Sequence, residues 1–261
     1  VKHPFFRHLD YTTVSNNANL FKCSGCQTII NPDAVKTELS TFEEKKYADS
    51  HQTQQTMHVD GYTEPVTRSF LQARILSEQI LNNENMRILD IGCFDGRLLI
   101  ELDRIIMNAD LWGFDINPHL KEFFPEKENF HFISTDLEDL EGPFDLIILS
   151  HSILYIPDLN VLMASISRLL KEDGNLFIQI PDICMNPFYS FMGDQSFIFT
   201  ETSLNNVLGK FGYRAELISN DYFPRELLVT AIKDESVKLR RCASDNLFED
   251  NIVTLNRIKV Q

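Results

Sequence analysis

The stretch Arg87–Gly96, RILDIGCFDG, places Asp90 near the end of an apolar run. Glycines follow at positions 92 and 96, and RLLIEL then begins a helical pattern. A strand, a tight turn and a helix in that order bring bare backbone, a helix N-terminus and a carboxylate to one point. Such a point suits a small ligand that carries both a carboxylate and an amine. Two further acids close expected strands, Asp115 in GFDIN and Asp136 in ISTDLEDL. Open α/β sheets bind ligands beyond the carboxyl ends of their strands, which is where all three acids are expected.

The turn is not built for a dinucleotide. That fingerprint, G-x-G-x-x-G, needs a middle glycine so that backbone can approach a pyrophosphate. Here Phe94 takes that space, and Asp95 would repel phosphate. No Gly-Lys-Ser or Gly-Lys-Thr of a P-loop follows. S-adenosylmethionine, which carries no phosphate, fits better. Its carboxylate suits the amides opening a helix at Arg97–Met107, and its ammonium suits Asp90. Asp115 can accept from both ribose hydroxyls. Asp136 can accept from the adenine amino group, or can simply cap the LEDL turn.

A second chemistry is written in Phe21-Lys-Cys23-Ser-Gly-Cys26. Two thiolates at this spacing grip one face of a tetrahedral zinc. His3 and His8 are the favoured partners, and His51 and His58 follow the knuckle. The alternative is a pair of free thiols in a ribbon without metal. The flanks, LFKC and QTIINP, read as a hairpin and not as the helix start of a redox site. His151, in LSHSILYI, stands where a general base for a hydroxyl or acidic carbon is expected, and Tyr155 one turn on could orient a substrate. His151 could equally pack on the cofactor or cap its strand.

These residues need elements to hold them. Strands are expected at Arg87–Gly92, Leu111–Asn117, Phe130–Thr135, Phe144–His151 and Gly174–Pro181. Helices are expected at Glu64–Leu81, Arg97–Met107, His119–Phe124, Leu159–Lys171 and Glu201–Phe211. Runs such as IILS and LFIQI are apolar throughout, as in parallel strands covered on both faces. Tyr213–Ser219 and Glu226–Lys233 read as an antiparallel pair ending the sheet. Between them and Pro181 lies an aromatic excursion, Asp182–Phe199, with Phe188, Tyr189, Phe191, Phe197 and Phe199. It reads either as a lid over a substrate or as a packed insertion.

The chain has 261 residues, 43% hydrophobic, and a formal net charge of −14. That charge argues against nucleic acid and anionic membranes as partners. No apolar run reaches about 18 residues, so no membrane span is expected. Five cysteines without a secretory-type leader fit a reducing, cytoplasmic setting.

In order and spacing, ILDIGCFDG, GFDIN, STDLEDL, FDLIILSHSILYIPD and LLKEDGNLFIQIP resemble class I S-adenosylmethionine-dependent methyltransferases across roughly Glu64–Lys233. The resemblance implies an α/β fold, a Rossmann-like seven-stranded, mostly parallel sheet whose last strand is antiparallel. It implies S-adenosylmethionine as cofactor, held by Asp90, Gly92, Cys93, Gly96, Asp115, Ile116, Asp136, Leu137 and Ser150. The family often has glycine where this chain has Phe94. FKCSGCQTIINPDAVKTELSTFEEKKYADS is similar to the zinc-binding amino-terminal segment of one branch, in which an Asn-Pro step (here Asn31-Pro32), a helix (Lys36–Lys46) and a tyrosine (Tyr47) follow the knuckle. The first cysteine pair usual in that branch is absent. The expected division is 1–60, a zinc-ribbon-like segment and linker; 61–234, the methyltransferase domain; and 235–261, a charged tail. The function implied is methyl transfer to a small molecule, with sugars or nucleotide sugars as acceptors. The alternatives are an RNA methyltransferase with a zinc ribbon and a non-catalytic S-adenosylmethionine-binding domain.

Overall fold

A computed structural model describes residues 6–7, 13–14, 20–32, 34, 56–80, 84–234 and 236–237. Seven strands form one sheet: β1 (Arg87–Ile91), β2 (Asp110–Phe114), β3 (Phe130–Ile133), β4 (Phe144–Ser150), β5 (Leu170–Pro181), β6 (Tyr213–Leu217) and β7 (Glu226–Lys233). Their spatial order is β6-β7-β5-β4-β1-β2-β3. Strands β1 to β5 run parallel. The last strand in the chain, β7, lies between β5 and β6 and is antiparallel to both.

The apolar runs are explained by two covered faces. Ile88, Leu146 and Ile148 point into a core shared with Leu71 and Leu76 of α1 (Arg68–Gln79) and Leu99 and Leu102 of α2 (Arg97–Asp103). Their strand neighbours Leu89, Ile91, Ile147 and Leu149 point the other way, toward Leu162 and Ile166 of α3 (Leu159–Leu169) and Leu204 and Leu208 of α4 (Glu201–Lys210). β1 and β4 therefore bury both sets of their side chains, and alternation of apolar with polar residues disappears there.

Several expected boundaries move. α2 stops at Asp103, not Met107; the chain turns there, and Asn108 takes a left-handed φ of 55°. His119–Phe124 forms a 3-10 turn, Pro118–Glu122, capped by Asn117 through a bond from His119 N. Lys171 belongs to β5, which begins at Leu170 directly after α3. The apolar spacing of the helix continued past its end because Leu169 and Leu170 are both buried, one in each element.

The front segment is tied to the excursion after β5. Phe21–Lys22 and Ile29–Ile30 form the expected hairpin, and Ile29–Ile30 also pairs antiparallel with Phe197–Ile198. Asn31 is buried; its Nδ2 donates to Gly193 O at 3.1 Å and its backbone N to Ser196 O at 2.9 Å. Leu20, Ile29, Ile183 and Ile198 make a small core of their own beneath this junction. Helix Lys36–Lys46, Tyr47 and the tail beyond 237 lie outside the described residues.

Candidate functional site

At the carboxyl ends of β1, β2 and β4 the chain encloses a cavity of about 950 Å³. Gly92, Asp115, Ile116, Asp136, Leu137, Ser150, His151 and Tyr155 border it, as the sequence suggests for a ligand site. Thr67, Arg68, Phe94, Arg97, Ser152, Gln195 and Glu226 border it as well. Asp90, Cys93 and Gly96 stand behind this wall: Asp90 and Cys93 are buried, and neither they nor Gly96 lines the cavity.

The turn after β1 shows why each residue is there. Gly92 has φ 82°, and a Cβ on it would come within 2.5 Å of Ser152 Cβ. Gly92 N and Cys93 N both donate to Phe114 O, at 2.7 and 3.1 Å, which binds the turn to β2. Phe94 has φ 52°, a left-handed conformation that favours glycine. Gly96, φ 76°, precedes α2, and a Cβ there would meet the Phe124 ring at 2.7 Å. α2 has only seven residues, so the helix end is a minor part of the cradle.

Asp115 is fastened from both sides. Its Oδ2 accepts from Phe94 N at 3.1 Å and its Oδ1 from Asn117 N at 3.0 Å. Burial pushes its carboxyl up, and the two backbone bonds pull it back. Each oxygen keeps a second lone pair for a ligand hydroxyl. Asp90 is less well provided for. Its Oδ1 is buried without a hydrogen-bond partner. Burial, and next the charge of Asp115, push its carboxyl up to about 7. An orphaned buried oxygen of this sort implies a missing donor. Asp136 caps the turn Leu137–Asp139 through a bond from Glu138 N at 3.2 Å, so the capping reading holds while the residue also borders the cavity.

Around His151 the structure brings together residues that the sequence did not single out. Arg68 donates to Glu226 Oε1 at 2.8 Å and to Oε2 at 2.5 Å. Gln179 donates to Glu226 Oε2 at 2.6 Å, and Gln72 donates to both Gln179 Oε1 and Ser150 Oγ at 2.8 Å. His151 Nε2 lies 2.7 Å from Arg68 and 3.2 Å from Glu226. Two signals pointed this way. Arg68 sits at a helix N-terminus, where a cation is unfavourable. Glu226 opens the strand ELLVTAIK directly before the apolar Leu227–Val229, and its register partner is Pro181 at the top of β5.

Glu226 is held down to about 2: burial acts to raise it, but the close approach of His151 and Arg68 outweighs burial. Its ordinary value is 4.5. The ionised pair therefore stabilises the fold above pH 4.5 and is lost as pH falls toward 2, a loss of about 3 kcal/mol. Urea unfolding at pH 5 and pH 3 checks this: Glu226→Gln is expected to flatten the acid loss, and an unchanged slope would remove Glu226 as its source.

Tyr155 lies half-buried on the cavity wall, its phenol raised first by burial and then by the Asp194 charge. Of the aromatics in the excursion, Tyr189 borders the cavity. Phe197 and Phe199 are core residues, stacked at 6.0 Å, and Phe188 is exposed. For Phe197 and Phe199 the packed-insertion reading is the correct one. Cys23 and Cys26 are half-buried at the hairpin turn and not joined in a disulfide, and the Cys23 thiol is lowered by backbone bonds at Cys26 and Gly25. His3 and His8 lie outside the described residues. Among the described residues no group of three or more His, Cys, Asp or Glu side chains could hold a metal, and no helix is long and apolar enough to cross a membrane.

A family model described as a methyltransferase domain matches residues 67–218. The chain is 27% identical over 111 residues to a trans-aconitate 2-methyltransferase of Deinococcus radiodurans, covering 42% of this chain and 43% of that one. It is 29% identical over 113 residues to a sterol 4-C-methyltransferase of Caenorhabditis elegans, covering 40% and 33%. It thus spans less than half the length of both relatives. Among solved structures, a chain from the complex of the Haloferax volcanii Trm112 methyltransferase activator with a methyltransferase has a TM-score of 0.54 at 15% identity, over 63% of this chain and 89% of that one.

Proposed function

The chain belongs to the methyltransferase-domain family and has its class I α/β fold; from that premise we propose that it transfers a methyl group from S-adenosylmethionine to a small-molecule acceptor, with sugars and nucleotide sugars the first classes to test. Residues 61–234 are the unit that does so. The relatives' names, a trans-aconitate and a sterol methyltransferase, support a small acceptor.

The observation that carries the reading is Asp90, a buried carboxylate with one partnerless oxygen, behind a glycine turn that faces Asp115. The donor set fits the cofactor. Asp90, behind the Gly92–Cys93 turn, would attract the ammonium group by its charge across that turn, and the lone pairs left on Asp115 would take the ribose hydroxyls. Ile116 and Leu137 supply apolar surface and Asp136 an acceptor for the adenine, with Ser150 and Gly96 completing the wall and the turn. When bound, S-adenosylmethionine supplies an electrophilic methyl on a sulfonium that leaves as a neutral thioether. The chain's task is to align the acceptor with that methyl and to keep water out. The apolar part of the wall, Phe94, Ile156, Val161 and Leu162 among others, does the second. His151, Tyr155 and Gln195 face the acceptor.

Calorimetric titration with S-adenosylhomocysteine tests the binding, and release of S-adenosylhomocysteine in the presence of sugars, nucleotide sugars and organic acids tests turnover. Binding without release from any acceptor would favour the non-catalytic reading. The net charge of −14 counts against RNA as acceptor.

The front ribbon holds the acceptor side of the cavity through Asn31. Asn31→Ala leaves Gly193 O without its donor, a cost of about 1–3 kcal/mol. Hydrogen exchange across 193–198 is expected to rise several-fold in that variant, while S-adenosylhomocysteine affinity stays within about twofold. Equal protection in both proteins would show that the ribbon does not brace this wall. Cys23 and Cys26 would give a structural zinc two of its ligands, with His3 and His8 proposed for the others. Metal content after purification without chelator decides between zinc and free thiols.

A further inference from the structure

The surroundings of His151 determine which of its ring nitrogens can face a ligand. The residue holds φ 60°, a conformation that side chains disfavour and that persists only when neighbours impose it. His151 N donates to Gln179 O at 2.8 Å, which fixes the base of the side chain. Nε2 stands 2.7 Å from Arg68 Nη2. A guanidinium only donates. At that distance Nε2 must turn its lone pair toward Arg68, since two N–H groups would collide. Glu226 is farther away, at 3.2 Å, and its Oε2 already accepts from Arg68 and Gln179. Arg68 is itself held, with its guanidinium 4.6 Å above the Phe223 ring. The proton of the neutral imidazole therefore sits on Nδ1, which has no hydrogen-bond partner among the described residues, in a side chain that borders the cavity.

We propose that His151 donates a hydrogen bond from Nδ1–H to an oxygen of the methyl acceptor and does not take a proton from it. Arg68 and Glu226 are positioning residues that hold the ring in this tautomer. The inference rests on the methyltransferase reading and narrows its acceptor class. The nucleophile is one that is free of its proton at neutral pH, in the simplest case the carboxylate of an organic or sugar acid. One carboxylate oxygen bonds to the methyl carbon, the methyl–sulfur bond breaks with its electron pair left on sulfur, and the second oxygen keeps the bond from Nδ1–H. No proton moves, and the products are a methyl ester and S-adenosylhomocysteine.

Long-range nitrogen–proton NMR of the whole chain labelled with 15N-histidine tests this at pH 8, with His151 assigned by comparison with His151→Gln. The expected spectrum shows Nδ1 protonated and Nε2 bare. In Arg68→Met the proton is expected to move to Nε2 and be donated to Glu226. A wild-type ring protonated on Nε2, or on both nitrogens, overturns the proposal. So does an Arg68→Met protein that keeps the proton on Nδ1. If that variant does not fold, the wild-type spectrum decides alone. Titration with S-adenosylhomocysteine on the same sample separates the two levels. Binding with the wrong tautomer sinks this inference only; no binding sinks the methyltransferase reading beneath it.

Discussion

Exchange of Asp90 for asparagine is expected to stabilise the ligand-free protein at pH 8 and to weaken S-adenosylmethionine binding by about a hundredfold. Both effects come from one carboxylate. Its value in the fold is about 7, against an ordinary 3.8. Between these values the folded protein holds a proton that the unfolded chain has released. Stability therefore falls as pH rises from about 4 to 7, and the full loss, about 4 kcal/mol at most, stands above pH 7. Asparagine removes that loss. Its amide leaves a buried N–H unpaired, which takes back about 1–3 kcal/mol. The net gain at pH 8 is about 1–3 kcal/mol and shrinks at pH 5, where Asp90 is already largely protonated. Urea unfolding at the two pH values reads the first effect and calorimetry the second. A variant equally destabilised at both, or one that binds as wild type does, would show that Asp90 is not the missing partner of a cation.

Gly92→Ala is expected to cost about 3 kcal/mol and to abolish measurable cofactor binding. The position has φ 82°, and the added Cβ would stand 2.5 Å from Ser152 Cβ. The backbone must shift, and it is the backbone that forms the cavity wall. The two causes can be separated. Ser152→Gly in the Gly92→Ala background removes the collision and leaves the unfavourable φ. It is expected to recover about 1–2 kcal/mol, and no recovery would mean that the strain lies in the backbone alone.

The sheet was readable from its apolar strands because both faces are covered, and each strand end lay within a few residues of its expected place. Asp90 and Asp115 were readable because they stand at the ends of otherwise apolar runs; Asp136 follows Ser134 and Thr135 and was readable only as the acid after a strand. Boundaries set by capping were not. Leu169 and Leu170 continue one apolar pattern across a helix end, and nothing in their types marks the break. The polar cluster around His151 was hidden because it is assembled from α1, β4, β5 and β7. Arg68 and Glu226 are 158 residues apart, and only the antiparallel placement of β7 against β5 brings them together. His151 was visible as a residue at a strand end, but its hydrogen-bonding role depends on Arg68, which spacing alone could not place beside it. The excursion after β5 was legible as an aromatic insertion. Its division into core residues and cavity residues required knowing that it pairs with the hairpin at Ile29–Ile30.

Binding of the nucleoside at Asp115 underlies every role assigned to the cavity residues. Calorimetric titration of S-adenosylhomocysteine into wild-type protein and into Asp115→Ala is the measurement that reaches it. One equivalent is expected to bind the wild type, and affinity is expected to fall by about a hundredfold in the variant, whose ribose hydroxyls have lost their acceptor. No heat with wild type, or equal affinity in the two proteins, would contradict it.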